Sequence, residues 1–481
     1  MRTKKLTLLA MVLSLGIGND AQAQNVVPSF ADLAEGLLPS VVNISTTHDK
    51  SEETDEVSDI DNNIETTVES IFNAPKTNKV SLGSGFIISE DGYIITNHHV
   101  IDKAKAISVT LSDNSSAEAR LIGGDSKTDT ALIKIDSPRK LKAVKFGDSD
   151  KIRIGDWVLA IGNPFGLGGS VTAGIVSAKS RDIESGPYDS FIQTDASINQ
   201  GSSGGPMFNM NGEVIGINTA IFSTNGGSMG IGFAIPVNLV DFVIKQLKKN
   251  GEVKRGWIGV KMQPYDADTA QSLGTDENNG VIISSVSENS SAARAGIQAG
   301  DIIFKFDGHL IDDTKNLSRM VAETPIGKNV DMEIRRNGIA QNIKVLIEEM
   351  PEDKPLPQTS KAEDREPVDI PQDENRNITA ETGFSVEDIS ADNAEKYNLL
   401  PGEKGVVVSY VDKDSDAALK GLKAGDIITQ IDKKTVLDDN DVQNYVSDAL
   451  RENRRPILLQ VKDGETLHFV AVKLTAPKKG E

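Results

Sequence analysis

From about residue 80 to residue 235 the apolar residues fall in short runs broken by turn residues, a strand-like rather than helical pattern. Gly85-Phe86-Ile87-Ile88-Ser89 and Tyr93-Ile94-Ile95-Thr96 flank Glu90-Asp91-Gly92 and predict a hairpin. Residues 131–135, 158–161, 191–194 and 214–218 continue the strand series. Helical periodicity first becomes clear after Pro236, where Val237, Val240, Val243, Ile244 and Leu247 share one face and Gly251 follows as a C-terminal stop. Strands closed by one helix predict a barrel-type all-β domain.

Beyond that helix the chain repeats itself. Gly280-Val-Ile-Ile-Ser-Ser-Val, Ser291-Ala-Ala-Arg-Ala-Gly296 and Ala299-Gly-Asp-Ile-Ile303 return as Gly405-Val-Val-Val-Ser-Tyr-Val, Asp416-Ala-Ala-Leu-Lys-Gly421 and Ala424-Gly-Asp-Ile-Ile428. The offset is 125 residues with no gap over these positions. Two copies are too few for a solenoid, so they read as two domains of one type. Between them, residues 351–377 carry five prolines and many acids with few apolar residues, which predicts a semi-extended linker. A second acidic, weakly apolar stretch, about residues 49–69, predicts a surface loop inside the first domain.

Composition narrows the class. A chain of 481 residues holds about three domains. Forty-two glycines and only 5% aromatics suit β-rich domains joined by tight turns. A formal charge of −20 argues against a nucleic-acid partner, which would need a basic surface. With no cysteine, thiol nucleophiles and thiolate metal sites are excluded. Arg2, Lys4 and Lys5, the apolar run over 6–17 and Ala21-Gln22-Ala23 form a secretory leader cleaved after Ala23. That run is too short to cross ~30 Å of hydrocarbon, so an exported, periplasmic protein with no permanent membrane anchor is expected.

Gly201-Ser202-Ser203-Gly204-Gly205-Pro206 is the most specific chemical motif. A serine nucleophile needs a tight turn with backbone N–H groups aimed at the developing oxyanion. Ser203 is then the nucleophile, with the backbone of Gly201, Ser202 and Ser203 as the oxyanion hole. The chain has five histidines, two of them adjacent in Thr96-Asn97-His98-His99-Val100 after a predicted strand. Thr128-Asp129-Thr130 precedes another strand and supplies a carboxylate. The order His, Asp, Ser is that of chymotrypsin.

Thr96-Asn-His-His-Val100, Thr128-Asp-Thr-Ala-Leu132, Ile161-Gly-Asn-Pro-Phe165 and Gly201-Ser-Ser-Gly-Gly205 resemble the HtrA/DegP (protease Do) family. The likeness covers essentially the whole mature chain, and the two repeats resemble PDZ domains. Two PDZ domains without an anchor are similar to the DegP and DegQ type rather than the anchored, single-PDZ DegS type. The resemblance implies a mainly β, trypsin/chymotrypsin-like double β-barrel over residues 24–252, with 49–79 a mobile acidic loop. It further implies PDZ domains of α+β type over 253–350 and 379–477, joined by a linker over 351–378. It implies His99, Asp129 and Ser203 as the catalytic triad, with Asp125 a turn residue and Ser202 at a position commonly Asn or Asp. A zinc site on His98 and His99 is disfavoured, because adjacent strand residues face opposite ways. No cofactor is expected.

Trypsin-like cleavage after Lys or Arg needs an acid six residues before the nucleophile, where Ser197 stands. Ile198, Met229 and Ile231 are instead expected to line a small apolar pocket, giving cleavage after small aliphatic residues. In the first PDZ domain Trp257, Ile258, Gly259 and Val260 sit at the carboxylate-binding loop, where a peptide C-terminus would meet backbone N–H groups. In the second, Gly383-Phe384-Ser385-Val386 is the matching stretch, with Ser385 at the expected glycine. The resemblance further implies Arg181 as a regulatory residue, unfolded or misfolded exported proteins as substrates, and homotrimers or larger cages with Phe30 at the trimer contact. The alternative is a peptide-binding chaperone or scaffold with latent proteolysis.

Overall fold

The protein is described by a computed structural model that defines residues 29–48, 79–163, 169–199, 201–223, 227–264, 266–273, 280–351, 380–454, 456–464 and 466–475. The leader and most of both acidic stretches lie outside these residues.

The first barrel is closed by six strands: β1 (Val41–His48), β2 (Lys79–Ile87), β3 (Tyr93–Thr96), β4 (Ala106–Thr110), β5 (Ser116–Asp125) and β6 (Thr130–Ile135), ordered β1-β2-β3-β6-β5-β4. The expected hairpin is β2–β3, with Gly92 at φ +103° where a Cβ would press on the Ile135 carbonyl at 2.4 Å. The second sheet joins β7 (Lys145–Phe146), β8 (Trp157–Gly162), β9 (Ser170–Arg181), β10 (Phe191–Thr194), β11 (Pro206–Phe208), β12 (Glu213–Ile221) and β13 (Gly232–Pro236). Pairing of β11 with β12 closes its six main strands into a second barrel. The helix Val237–Asn250 follows, ending at Gly251 in the left-handed region with its N–H on the Leu247 carbonyl. Its buried face, Val237, Val240, Val243, Ile244 and Leu247, joins a cluster with residues of both barrels such as Phe86, Leu132, Ile161 and Phe208.

The repeats fold alike. The first builds β15 (Val260–Pro264), β16 (Val281–Val286), β17 (Ile302–Phe306), β19 (Asn329–Arg336) and β20 (Ile339–Leu346) into one sheet, with β18 (His309–Leu310) on β17. A separate ribbon pairs β14 (Gly256–Trp257) with β21 (Glu348–Glu349). The second builds β22 (Phe384–Asp388), β23 (Val406–Val411), β24 (Ile427–Ile431), β26 (Ile457–Asp463) and β27 (Thr466–Val472), with β25 (Lys434–Thr435) on β24. β15 and β22 each form one edge of their sheet, with β20 and β27 at the opposite edges. The helices Thr314–Glu323 and Asp439–Arg451 are the corresponding long helices of the two domains.

The two repeats also touch. Ala270, Ile282 and Ile302 of the first form an apolar cluster with Leu458, Phe469 and Ala471 of the second. The Gln263 side chain donates to the Phe469 carbonyl (2.8 Å) and accepts from its N–H (2.7 Å).

The 125-residue offset does not extend to the edge strands. Val260 faces Val286 as Phe384 faces Val411, so β15 matches β22 at an offset of 124. The second repeat carries one extra residue in the loop before Gly405. Ser385 therefore corresponds to Lys261, and Gly383 corresponds to Gly259, so the expected loss of the loop glycine is corrected.

Candidate active site

The first barrel supplies the imidazole and the carboxylate. Thr96 ends β3, Asn97 turns the chain, and His98–Ile101 form one helical turn rather than a strand. This alters the premise used against a zinc pair, since the two rings leave a helix rather than opposite faces of a strand. His98 lies over Gly124, where a Cβ would meet its ring at 2.5 Å. Among the described residues no group of three or more His, Asp or Glu could hold a metal ion.

Asp129 follows a single 3₁₀ turn at φ +47°, a left-handed conformation that a residue with a Cβ holds only when its surroundings impose it. Those surroundings are clear. Asp129 Oδ2 lies 2.7 Å from His99 Nδ1, and Oδ1 accepts the His99 backbone N–H at 2.9 Å. The Asp129 carbonyl accepts from Asn97 Nδ2 at 2.9 Å. The carboxylate therefore fixes both the ring and the backbone of His99, while about half of the His99 side chain stays exposed (51%).

The second barrel supplies the hydroxyl. Gly201 and Gly204 take φ +86° and +85°, which residues with a Cβ avoid. At Gly204 a Cβ would also strike the Ser84 carbonyl at 2.2 Å. Ser84, fully buried on β2 of the other barrel, holds this loop. Its N–H donates to the Ser203 carbonyl (2.9 Å), its Oγ donates to the Gly201 carbonyl (2.6 Å), and that Oγ accepts from Asn163 N–H (2.8 Å). Thr96 Oγ1 in turn donates to the Ser84 carbonyl at 2.7 Å. Asn97 completes the bridge by donating to Thr219 Oγ1 at 3.0 Å.

The Ser203 hydroxyl donates to the Thr219 carbonyl at 3.3 Å rather than to His99. The Ser202 N–H donates to the Asn199 carbonyl at 2.9 Å, so in this conformation it is not aimed at an oxyanion as expected. Ile198, expected to line a specificity pocket, is buried in the core of the second barrel against Gly232. Ile231 is half-buried and Met229 is exposed. Arg181 stands exposed at the end of β9, its Nε donating to Gln193 Oε1 at 3.0 Å.

Asp125 is more than a turn residue. Arg255, just ahead of the first carboxylate loop, grips it with two nitrogens at 2.9 and 2.5 Å, and both side chains are over nine-tenths buried (6% and 7% exposed). Thr128 Oγ1 also donates to Asp125 Oδ2, and the guanidinium lies 4.8 Å from the centre of the Tyr188 ring. Next to it, Lys315 reaches from the first PDZ domain to the Gly186 carbonyl (2.6 Å) and the Asp182 carboxylate (3.5 Å). The Glu184 N–H, and more weakly Lys315, hold the Asp182 carboxyl below its ordinary value despite some burial.

In the first PDZ loop Gly259 takes φ +83°, and a Cβ there would fall 2.1 Å from Ser290 Cβ at the cap of the helix Ser291–Ala295. Ile258 points into the core, Trp257 is half-buried, and Val260 opens the edge strand.

Residues 83–217 match the trypsin-like peptidase domain, and residues 256–347 and 407–460 each match the PDZ domain. A protein of Brucella suis named as a DegP-like periplasmic serine endoprotease is 45% identical over 403 residues, 82% of this chain and 74% of that one. A protein of the same name from Rickettsia prowazekii is 41% identical over 467 residues, covering 93% and 90%. The solved HtrA-type protease AlgW with tripeptide is 39% identical at a TM-score of 0.57, over 67% of this chain and 98% of that one.

Proposed function

The chain belongs to the HtrA/DegP-type serine endoproteases, and from that premise we propose that it hydrolyses peptide bonds through His99, Asp129 and Ser203. The observation that carries the assignment is the 2.7 Å contact of His99 Nδ1 with Asp129, built beside a nucleophile loop that Ser84 anchors across the barrels. Asp129 keeps the Nδ1 proton in place and leaves Nε2 as the base.

In the reaction Ser203 Oγ leaves the Thr219 carbonyl and attacks the substrate carbonyl carbon while His99 Nε2 takes its proton. The oxyanion forms against the Gly201 and Ser203 N–H groups. Collapse of the tetrahedral intermediate breaks the C–N bond, and His99 returns the proton to the leaving amine. Water, deprotonated by the same imidazole, then hydrolyses the acyl-enzyme and restores Ser203. The hydroxyl's hold on Thr219 fits a resting arrangement, in line with apo sites whose catalytic hydrogen bonds form only with substrate.

Unfolded or damaged exported proteins are the proposed substrates, cut after small aliphatic residues. Export after cleavage at Ala23 is in keeping with the periplasmic names of the relatives, and no helix among the described residues is long and apolar enough to cross a membrane. The first PDZ domain takes C-terminal peptides at Trp257–Val260. Arg255, two residues before that loop and gripping Asp125, offers a short route from bound peptide to the turn carrying Asp129. Arg181 is proposed to act on the same signal. Phe30, whose ring packs on the half-exposed Trp157 at 5.5 Å, is proposed to lie at a trimer contact.

The test is degradation of casein by the mature chain beside its Ser203→Ala twin. The expected loss is about 10⁶-fold in turnover. Cleavage by the twin would sink the assignment, and predominant cuts after Lys or Arg would sink the specificity.

A further inference from the structure

The carboxylate loops of the two PDZ domains have one backbone but not one chemistry. Both glycines take a left-handed φ, +83° at Gly259 and +79° at Gly383, and a Cβ on either would strike the serine that caps a short helix of its domain, Ser290 ahead of Ser291–Ala295 and Ser415 ahead of Asp416–Leu419. In both, the glycine carbonyl accepts a 2.8 Å bond from the residue just past the neighbouring strand, from Ser287 N–H in one and Asp412 N–H in the other. Opposed residues of an antiparallel pair alternate between bonded and non-bonded. The next pairs, Val260 with Val286 and Phe384 with Val411, are therefore the non-bonded kind. The N–H groups of Val260 and Phe384 thus point to the open edges of β15 and β22, the side on which an added peptide strand and its carboxylate would sit.

One residue earlier the domains part. The first has Ile258, whose side chain carries no acceptor and lies in the core. The second has Thr382, 2% exposed, whose Oγ1 accepts the Phe384 N–H at 3.2 Å and donates to the Phe384 carbonyl at 3.0 Å. A hydroxyl bonded to the N–H two residues on is a stable local turn, and it occupies the donor that a carboxylate would need.

We propose that Thr382 closes the carboxylate loop of the second PDZ domain from within, so that Thr382 against Ile258 decides which of the two domains takes a peptide C-terminus. The loop is otherwise complete. A carboxylate entering it must displace the Thr382 hydroxyl, which then lies buried without that partner. Removing the hydroxyl frees the donor and should tighten binding at this loop by about tenfold or more.

The inference rests on the reading that such loops in this chain bind C-termini, and the test separates the two. The full chain carrying Ser203→Ala is titrated calorimetrically with decapeptides ending in free Ala, Val, Leu or Phe, with C-terminally amidated versions as controls. The parent reports the first domain, with one carboxylate-dependent site per chain expected. Thr382→Val, which keeps shape and burial, should add one site, Thr382→Ile should do the same, and Thr382→Ser should add none. A parent count of zero would sink the peptide-binding reading of the first domain, while the added site would still support the role of Thr382. Two sites in the parent, or no added site in Val and Ile variants that melt like the parent, would overturn the proposal.

Discussion

In the first barrel His99 and Asp129 are tied to each other by two hydrogen bonds, and Asn97 holds the Asp129 carbonyl as well. In the second barrel Ser203 sits on a loop whose carbonyls are gripped from outside by Ser84, while its hydroxyl has only a 3.3 Å bond to Thr219. One half of the site is bound up locally, and the other is held by its neighbour with its hydroxyl loosely parked. A base must keep one tautomer and one orientation, whereas a nucleophile must move toward substrate. The distribution of hydrogen bonds fits the base and nucleophile roles proposed for His99 and Ser203.

The sharpest way to break the contrast is Asp129→Asn. It retains shape but favours the wrong imidazole tautomer, and turnover should fall about 10⁴-fold with the melting temperature little changed. An unchanged rate would show that the first-barrel bonds do not orient the base. Next is Arg255→Leu, which leaves the Asp125 carboxylate buried without its partner. A loss of about 3–5 kcal/mol is expected by denaturant unfolding, and Asp125→Asn combined with it should recover part of that loss. Additive losses would mean that the ion pair does not act as a unit.

Ser84→Ala tests the second half. It strands the Gly201 carbonyl and should cost about 1–3 kcal/mol of stability. Because the nucleophile loop loosens while the His99–Asp129 pair stays whole, kcat should drop more than KM rises. An equal effect of Ser84→Ala on both would place Ser84 in substrate binding instead.

The smallest effect lies outside both barrels. Burial pushes the Asp268 carboxyl up, but the ammonium groups of Lys420 and Lys473 outweigh it and hold the carboxyl below its ordinary value. A group lowered on folding stabilises above its unfolded pKa, and that contribution fades as pH falls through the lowered value. Below about pH 4 the contact between the two PDZ domains should therefore loosen. Hydrogen exchange in the segment around Phe469 reads this directly, and exchange that stays flat with acid would remove Asp268 from the interface.

Much of this was legible in the chain. Strand runs, the hairpin at Gly92 and the amphipathic helix after Pro236 follow from local periodicity, and the structure has them in place. The motif around Ser203 and the repeats announced themselves by glycines at fixed spacing. Ser84 was missed, although Gly83-Ser84-Gly85 inside a strand pattern signals close backbone approach. A Cβ at Gly83 would lie 2.6 Å from Val100. The pairing of Asp125 with Arg255 carried no local signal, because 130 residues separate the partners. The helical turn at His98–Ile101 was misread because four residues are too few to show a period. The single extra residue before Gly405 was hidden because the matched positions all lie after it.

By itself the sequence determined what depends on neighbours along the chain: strand and helix periods, turns that only glycine tolerates, and the order of His, Asp and Ser. Tertiary structure alone decided which donor meets which acceptor. Ser84 reaching Gly201, Arg255 reaching Asp125 and the Ser203 hydroxyl resting on Thr219 all join distant segments, and a hydrogen bond is made or lost over a few tenths of an ångström. No one-dimensional pattern carries that distance.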